Sequence, residues 1–360
     1  METKIENKSY YSSEDYDSDL ESIFKKNWIY AGLTDELKEI NDYIVIDAYQ
    51  TSVIVQKTES GIQAFLNVCV HRHNTLFGEK KGNSPLVCKY HGWRFDDTGK
   101  LKTIPSRNSL EVSSKEFDCI SLHKVSSATV GKFIFINLSK TPDLSLEDYL
   151  GHVSTTLSNI SNSIGEVFER NHIDFAANWK LVIENTLEGY HINTVHPTTF
   201  TKLGITQNSK ATFKSTDLHS EMVIESTIQD NGLQKMAKLY ANKEFSPDGF
   251  FHILIFPNLL IGSTYGLSFY IANIFPHGPE ASSFDYALYY SNKCPDVHSV
   301  KTMIGYSASE FTTTVLKEDR EIVEQVQKGV KLINRPGILS NKEKRILEFQ
   351  NAYLKQKYSK

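Results

Sequence analysis

The chain has 360 residues, of which 40% are hydrophobic and 23% charged, and this composition excludes a disordered or fibrous protein. A net charge of −4 without a long basic block argues against nucleic acid or an anionic membrane as the main partner. The longest apolar run, Phe251 to Gly262, is interrupted by Pro257 and falls short of the roughly 20 residues that span a bilayer. Because the amino terminus has no apolar secretion signal, the sequence predicts a cytoplasmic protein.

The predicted elements change character along the chain. An amphipathic helix is predicted from Ser12 to Trp28, because its apolar residues form one stripe. Short β-branched runs separated by Gly, Asn and Asp extend from Tyr43 to Leu138 and are typical of a small all-β domain. After a polar connector, helical and strand patterns alternate and predict an α+β domain, with an antiparallel sheet flanked by helices. The predicted parts are a helical segment that packs with the last part (1–40), the all-β domain (41–150) and the α+β domain (151–360).

Four possible metal ligands occur as two Cys/His pairs in the all-β region. Cys69 and His71 form the first pair, and Cys88 and His91 form the second. Two sulfur and two nitrogen ligands suit either zinc or an iron-sulfur centre. A zinc finger has its cysteines in one half and its histidines in the other, whereas each half here holds one of each. This mixed arrangement favours a Rieske [2Fe-2S] cluster, in which two Cys bind one iron and two His bind the other.

The residues around these ligands resemble the ligand loops of the Rieske non-haem iron oxygenases, of the ring-hydroxylating alpha subunit type. The two segments are CVHRHN (69–74) and CKYHGWRFDDTGKL (88–101). The resemblance implies a Rieske domain over 41–150 and a catalytic domain over 151–360. It implies a [2Fe-2S] cluster bound by Cys69, His71, Cys88 and His91, and it gives no ligand role to the nearby His73, which we interpret as a loop residue.

A second group of possible ligands lies near the helix predicted around residues 179–191. Glu188 and His191, at positions i and i+3, are expected on one helical face, and His196 lies just before Pro197, where the helix must end or distort. Two histidines and one carboxylate form the facial triad that binds Fe(II) and leaves open positions for dioxygen. The third ligand must come from elsewhere in the chain.

The resemblance extends to this region and implies roles for the acidic residues. The segment EDREIVEQVQKG (318–329) is similar to the late family helix whose acidic residue completes the triad, which implies Asp319 as the third Fe(II) ligand beside His191 and His196. Glu318 is the first alternative to Asp319. Glu188 resembles the family carboxylate that bridges the two metal sites, in a homotrimer where it reaches the second Rieske histidine, His91, of a neighbour. The pattern Glu-x-Tyr-His is similar to the branch that acts on small quaternary ammonium acids.

The resemblance implies a terminal oxygenase component, a mono- or dioxygenase that activates O2 at these centres and hydroxylates a small organic molecule. An alternative with the same centres is oxidative demethylation or C–N cleavage of a quaternary ammonium or N-methyl substrate. Because no Gly-x-Gly-x-x-Gly follows a predicted strand, a separate NAD(P)H-dependent reductase or a ferredoxin is expected to supply electrons.

Two hypotheses from other classes stay open at this point. An electron-transfer Rieske protein without oxygenase activity would not need the long region after residue 150, and a structural zinc protein would be colourless. Aromatic residues on the predicted pocket strands are able to stack on a ring, surround a cation or form plain core. They are Phe251, Tyr265, Phe269, Tyr270 and Phe275.

Overall fold

The computed structural model describes every residue except 110, 112, 229–231 and 359–360. It divides into two compact units, one comprising Phe24–Gly151 and the other comprising Met1–Ile23 with His152–Lys360. The first unit begins at Phe24, whereas the sequence suggested a domain that begins at residue 41. The difference arises because Ile29–Leu33 forms an edge strand of that unit, and its pairing partner lies a hundred residues later in the chain.

The N-terminal helix is shorter than the sequence suggested. Ser12 caps it by accepting a hydrogen bond from the Asp15 N–H, and the α-helix ends at Asp19 and continues as a π-helical turn over Leu20–Phe24. The described helices are α1 (Ser13–Asp19), α2 (Ser114–Cys119), α3 (Leu146–Leu150), α4 (Val153–Ser161), α5 (Trp179–Thr186), α6 (Ile192–Val195), α7 (Gly232–Tyr240), α8 (His298–Gly329) and α9 (Lys344–Tyr358). None of them combines the length and the hydropathy that a bilayer span requires.

The Phe24–Gly151 unit contains an antiparallel sheet with the strand order β1-β9-β8-β4-β3-β2-β5. Strands β6 and β7 form a separate two-stranded ribbon. Residues of the ribbon and of the two ligand loops share one buried core, which includes Cys69, Cys88, Trp93 and Phe95. Its strands are β1 (Ile29–Leu33), β2 (Asp42–Ala48), β3 (Thr51–Thr58), β4 (Gly61–Leu66), β5 (Lys81–Asn83), β6 (Arg94–Phe95), β7 (Leu101–Thr103), β8 (Lys124–Val130) and β9 (Phe133–Asn137).

The other unit contains a second antiparallel sheet, with the order β10-β16-β15-β14-β13-β12-β11. Every residue of β13 is buried, which explains why its sequence reads as a continuous apolar run rather than an alternating one. The predicted α+β architecture with an antiparallel sheet and flanking helices is confirmed. The strands are β10 (Ile164–Phe175), β11 (Ala211–Ser215), β12 (Ser220–Glu225), β13 (Gly249–Ile255), β14 (Leu259–Thr264), β15 (Ser268–Gly278) and β16 (Ala281–Ser291).

A buried ion pair joins the N-terminal helix to α5 and α9 within this unit. Asp19, at the end of α1, accepts hydrogen bonds from the Lys180 ammonium (2.7 Å), the Trp179 indole (3.1 Å) and the Tyr353 hydroxyl (2.6 Å). Both charged side chains are inaccessible to solvent, at 0% and 1% exposure. Each charge depends on the other, because an isolated charge at this depth would lose its hydration without compensation.

Replacing Lys180 with Met should therefore destabilise this unit, since it removes the cation closest to the buried Asp19 carboxylate. Removing one partner of a buried pair costs about 3–5 kcal/mol, and we expect a loss of unfolding free energy near the lower limit because Lys357 also contacts Asp19. Urea unfolding followed by circular dichroism measures the change. Lys355→Met, which removes an exposed pair with Asp217, is the control and should leave the midpoint unchanged. Equal midpoints for the two variants would contradict the prediction.

Candidate metal centres

Two loops of the Phe24–Gly151 unit carry the predicted cysteine and histidine ligands, and they share one hydrogen-bond frame. The N–H of each cysteine donates to the carbonyl five residues later, from Cys69 to Asn74 (2.8 Å) and from Cys88 to Trp93 (2.8 Å). The carbonyl of each cysteine accepts from the N–H four residues later, at 2.9 Å in both loops. The backbone of the two loops is therefore closed in the same way.

Four residues after its cysteine, each loop has a residue with a left-handed backbone. This residue is His73 (φ 55°) in the first loop and Gly92 (φ 70°) in the second. A Cβ on Gly92 would lie 3.0 Å from Pro105 Cγ, so the second loop leaves little space for a side chain there. His73 lies in the equivalent position of the first loop, which agrees with its interpretation as a loop residue rather than a ligand.

The four predicted ligands form two like pairs. The thiols of Cys69 and Cys88 are both buried, and burial, reinforced by the nearby Cys88 thiol, raises the pKa of Cys69 to about 11. The rings of His71 and His91 lie 4.6 Å apart, and the Nδ1 atom of each is buried without a hydrogen-bond partner in the described protein. Two thiols facing each other and two imidazoles with buried, unsatisfied nitrogens form a donor set that fits a [2Fe-2S] cluster of the Rieske type.

Aromatic rings cover both imidazoles. Trp93 stacks on His71 with ring centroids 4.5 Å apart and planes at 3°, and Tyr90 lies 3.8 Å from His91. Trp93 is buried, whereas Tyr90 is 53% exposed. Both imidazoles are half-buried with a buried Nδ1 atom, so it is the covering rings, not the histidines, that differ in exposure.

Replacing Cys88 with Ser should remove the iron-sulfur centre, because the thiolate is the ligand that an alcohol does not replace. We expect the purified, anaerobically reconstituted parent to be brown and to show Rieske absorbance and, after reduction, a Rieske EPR spectrum. Cys88→Ser should lack both signals, while Cys119→Ser, which changes an exposed free cysteine, should retain them. A colourless parent that carries stoichiometric zinc would contradict the prediction.

The predicted histidine pair of the other unit does not lie on a continuous helix. α5 ends at Thr186, and Glu188 lies in the turn that follows, where its carboxylate accepts hydrogen bonds from the backbone N–H groups of Tyr190 and His191. The expectation that Glu188 and His191 share one helical face is therefore wrong, because α5 ends before Glu188 and His191 is the N-cap residue of the next short helix. His191 and His196 flank that short helix, α6, at its N-cap and C-cap positions.

Both histidines direct their Nε2 atoms toward one carboxylate oxygen. Asp319 Oδ1, on α8, lies 3.0 Å from His196 Nε2 and 3.5 Å from His191 Nε2, and the two Nε2 atoms are 3.2 Å apart. These are the only His, Cys, Asp and Glu side chains in the described residues that group as three potential ligands of one metal ion. Two imidazole nitrogens and one carboxylate oxygen converging from one side fit a facial triad.

The Nδ1 atom of each histidine contacts a further carboxylate, a different one for each ring. Glu188 Oε1 contacts His191 Nδ1, and Glu318 Oε2 lies 2.7 Å from His196 Nδ1. Such outer partners fix the tautomer of an imidazole so that its Nε2 lone pair faces the metal. Glu318, the first alternative to Asp319 in the sequence, thus lies next to the triad in the role of an orienting group.

The electrostatics of this group favour a cation at its centre. Burial alone would lower the pKa of His191, but its hydrogen bonds to Asp319 and Glu188 outweigh burial and raise the pKa to about 10. Burial likewise opposes ionisation of Asp319, yet hydrogen bonds from the two imidazoles lower its pKa below the usual value. Asp319 therefore keeps its charge, and a divalent metal ion would take the place of the imidazole protons that face it.

A cavity opens beside the three ligand atoms, and its described lining combines six Phe and Tyr rings with aliphatic and polar side chains. Phe200 lies 5.4 Å from His196, 5.3 Å from Phe250 and 4.9 Å from Phe311, with the phenylalanine pairs in edge-to-face geometry. Of the aromatic residues singled out in the sequence, Phe269 and Tyr270 line this cavity, whereas the other three are absent from its lining in the described chain. Phe200, Phe284 and Phe311 were missed because their sequence contexts are those of ordinary core residues.

The fold and these two groups of side chains define a class of protein, in which an iron-sulfur domain and a non-haem iron domain occur in one chain. Residues 27–117 match the Rieske [2Fe-2S] domain family, and residues 165–357 match the family described as ring hydroxylating alpha subunit (catalytic domain). The chain belongs to the ring-hydroxylating alpha subunit family of Rieske non-haem iron oxygenases, as its sequence predicted.

Curated relatives and solved structures agree with this assignment. The chain is 33% identical over 184 residues to the glycine betaine monooxygenase oxygenase subunit of Pseudomonas aeruginosa, a match that covers 51% of the chain but only 42% of that subunit. It is 27% identical over 328 residues to the carnitine monooxygenase oxygenase subunit of Acinetobacter pittii, covering 89% and 84% of the two chains.

Two solved structures show the same fold at low sequence identity. A quaternary ammonium Rieske monooxygenase in complex with an inhibitor superposes with a TM-score of 0.82 at 22% identity, covering 99% of this chain and 95% of that one. Naphthalene 1,2-dioxygenase with bound indole superposes with a TM-score of 0.80 at 20% identity, covering 99% and 92%. The shared fold includes both monooxygenases and dioxygenases.

Membership of this family brings two cofactors, a Rieske [2Fe-2S] cluster and a mononuclear Fe(II). The residues present fit both groups. Paired thiols and paired imidazoles with unsatisfied Nδ1 atoms suit the cluster, and the converging Nε2 and Oδ1 atoms suit Fe(II).

Proposed function

We propose that the protein is a terminal oxygenase component that oxidises a carbon bonded to the nitrogen of a small quaternary ammonium compound, which leads to C–N cleavage. The observation that carries the proposal is the aromatic cavity that opens directly on His191, His196 and Asp319. Aromatic faces bind quaternary ammonium groups through cation–π attraction. The lining includes the carboxylates Glu188 and Asp319, and in the described chain it includes no lysine or arginine.

The relatives support this substrate class. Glycine betaine and carnitine, for which the two related subunits are named, are quaternary ammonium compounds, and the carnitine subunit aligns with most of the chain. A solved structure with the same fold is a quaternary ammonium Rieske monooxygenase in complex with L-carnitine. Glu188 in the pattern Glu-x-Tyr-His points to the same branch. The cavity also suits a flat ring, and the large subunit of anthranilate 1,2-dioxygenase from Acinetobacter baylyi is 33% identical over 190 residues. Aromatic-ring hydroxylation is therefore the second candidate.

The side chains of the catalytic unit divide the work between binding metal and binding substrate. His191, His196 and Asp319 would hold Fe(II) from one side, which supplies the open positions for O2 activation. Glu188 and Glu318 keep the two imidazoles in the orientation that binds metal. The phenylalanine rings exclude water from the cavity and hold the substrate next to the ligand atoms, so that the reacting carbon is positioned before oxygen is used.

Electrons must come from another protein under this proposal. We propose a separate NAD(P)H-dependent reductase or ferredoxin as the donor and a homotrimer in which Glu188 of one subunit approaches His91 of the next. We also propose a cytoplasmic location, because Cys119 and Cys294, which are not among the proposed cluster ligands, form no disulfide and a reducing compartment preserves such thiols.

Single-turnover chemistry tests the proposed activity. The protein, loaded with both iron centres and reduced with dithionite, is mixed with ¹⁸O2 and one compound from a panel of quaternary ammonium compounds and aromatic acids. We expect one ¹⁸O atom to enter the oxidised carbon fragment and an amine to be released from a quaternary ammonium compound. Formation of a cis-diol from an aromatic compound alone would establish the second candidate. If no compound gives a product, the result favours an electron-transfer protein and contradicts the proposal.

A further inference from the structure

A buried histidine and a buried arginine form a pair at the wall of the aromatic cavity. His252, on β13, is 2% exposed, and Arg345, on α9, is 3% exposed. The Arg345 guanidinium donates to His252 Nδ1 (3.2 Å), and to the hydroxyl (3.1 Å) and the carbonyl (2.9 Å) of Ser220. His252 lines the cavity while Arg345 does not, so the imidazole stands between the guanidinium and the cavity.

This contact determines where the proton of the imidazole lies. Arginine has only donors, so His252 Nδ1 must accept, and the proton of the neutral ring is on Nε2. Burial, reinforced by the positive charge of Arg345, lowers the pKa of His252 well below its usual value and keeps the ring neutral. Nε2 is therefore a hydrogen-bond donor, and it is buried without a partner in the part of the protein that the structure describes.

An unsatisfied buried donor is unfavourable unless a ligand supplies the acceptor. Arg345 contacts Nδ1 only, and the unpaired Nε2 belongs to a side chain that lines the cavity. The Tyr270 ring lies beside the His252 ring, with the two centroids 6.2 Å apart. Gly262 pairs with both residues across the sheet and leaves space for the tyrosine ring. A Cβ at Gly262 would come within 2.0 Å of Tyr270 Cε1, so the wall around His252 depends on this glycine.

We propose that His252 donates its Nε2–H to an acceptor oxygen of the substrate, best a carboxylate, and so determines which end of the substrate faces the metal ligands. The charge of Arg345, whose hydrogen bonds go to His252 and Ser220 rather than to a carboxylate, polarises the donor and favours a negative partner. The assignment rests on the proposed function in one respect, since it places the substrate in the same cavity.

The test compares two matched pairs of ligands by anaerobic calorimetry on the protein loaded with both iron centres. The first pair is trimethylammonioacetate and ethyltrimethylammonium, which lacks the carboxylate. The second pair is benzoate and toluene. The variants are His252→Leu, which removes the donor, and His252→Gln, which retains an N–H near the Nε2 position. Met222→Leu is the control, because Met222 pairs with His252 across the sheet and lines the same cavity.

We expect the parent to prefer the carboxylate member of at least one pair. His252→Leu should raise the Kd of that carboxylate by about 10- to 100-fold, the range of a charge-assisted hydrogen bond, and should leave the Kd of its partner nearly unchanged. His252→Gln should recover part of the preference, and Met222→Leu should retain all of it. Iron content and circular dichroism should be those of the parent in every variant.

The outcomes separate this assignment from the proposed function. If only benzoate shows the effect, the quaternary ammonium proposal is wrong and the role of His252 stands. If neither carboxylate binds to the parent, or if His252→Leu weakens both members of a pair equally, His252 does not bind the substrate oxygen.

Discussion

Replacing Asp319 with Ala should abolish oxygen-dependent turnover while leaving the Rieske absorbance unchanged. Asp319 Oδ1 is the carboxylate oxygen on which His191 Nε2 and His196 Nε2 converge, so its loss leaves two imidazoles with no anionic ligand between them. Iron analysis after gel filtration should show the loss of one iron per chain, and O2 consumption should fall to the uncoupled background. The other two irons are those of the [2Fe-2S] cluster, whose proposed ligands lie in the Phe24–Gly151 unit, and they should remain.

Glu318→Gln is the matched control, because Glu318 is adjacent in sequence and contacts His196 at Nδ1 rather than at Nε2. A glutamine there keeps the shape and an acceptor but removes the charge, so we expect iron affinity to fall by about 10- to 100-fold and turnover to recover at saturating Fe(II). If Asp319→Ala retains turnover and Glu318→Gln loses it irreversibly, the two residues have the opposite roles.

Replacing Glu188 with Gln should slow the reoxidation of the Rieske cluster by about 10- to 100-fold in single turnover, although both centres still assemble. The Glu188 carboxylate contacts His191 Nδ1 through one oxygen and backbone N–H groups through the other. The amide oxygen of glutamine is still able to accept from His191 Nδ1 and keep the imidazole oriented, while the amide NH2 replaces the oxygen that accepts from the backbone. What glutamine lacks is the charge and the second acceptor that a bridge to the histidine of a neighbouring subunit requires.

Stopped-flow absorbance of the pre-reduced protein, mixed with substrate and O2, measures this rate, and iron analysis shows whether both centres are present. Glu318→Gln at saturating Fe(II) is again the comparison, since it alters the corresponding carboxylate on His196 and should reoxidise at the parental rate. Loss of mononuclear iron from Glu188→Gln that saturating Fe(II) does not restore would identify Glu188 as a ligand. A parental rate would refute the bridging role.

Local motifs were sufficient to predict the family and to single out cysteines and histidines that lie close together in the structure. The Cys/His pairs at 69–71 and 88–91 lie within short loops, so their geometry depends mainly on nearby backbone hydrogen bonds. His191 and His196 are likewise close in sequence, and the structure brings Asp319 to them. The resemblance to a late helix was needed for Asp319, because nothing in its local sequence relates it to residues so much earlier in the chain.

Features that depend on tertiary packing could not be predicted. The strand β1 is apolar like many buried segments, and only its pairing with β9 assigns it to the first unit. In the break between α5 and α6 the Glu188 carboxylate accepts hydrogen bonds from backbone N–H groups, and no sequence signature predicts this contact. The contact of Arg345 with His252 joins α9 to the centre of a sheet, and neither residue belongs to a recognisable motif.

The shared hydrogen-bond frame of the two Cys/His loops has a consequence for the speed of electron transfer. Because Cys69 and Cys88 are each held at both the N–H and the carbonyl by backbone bonds within their own loops, the ligand positions are defined without help from a bound group. A scaffold closed in this way has little freedom to relax when the charge of the group that it holds changes by one electron. The reorganisation energy contributed by the protein should therefore be small, and one-electron exchange should be limited by the distance and orientation of the partner rather than by movement of the ligands.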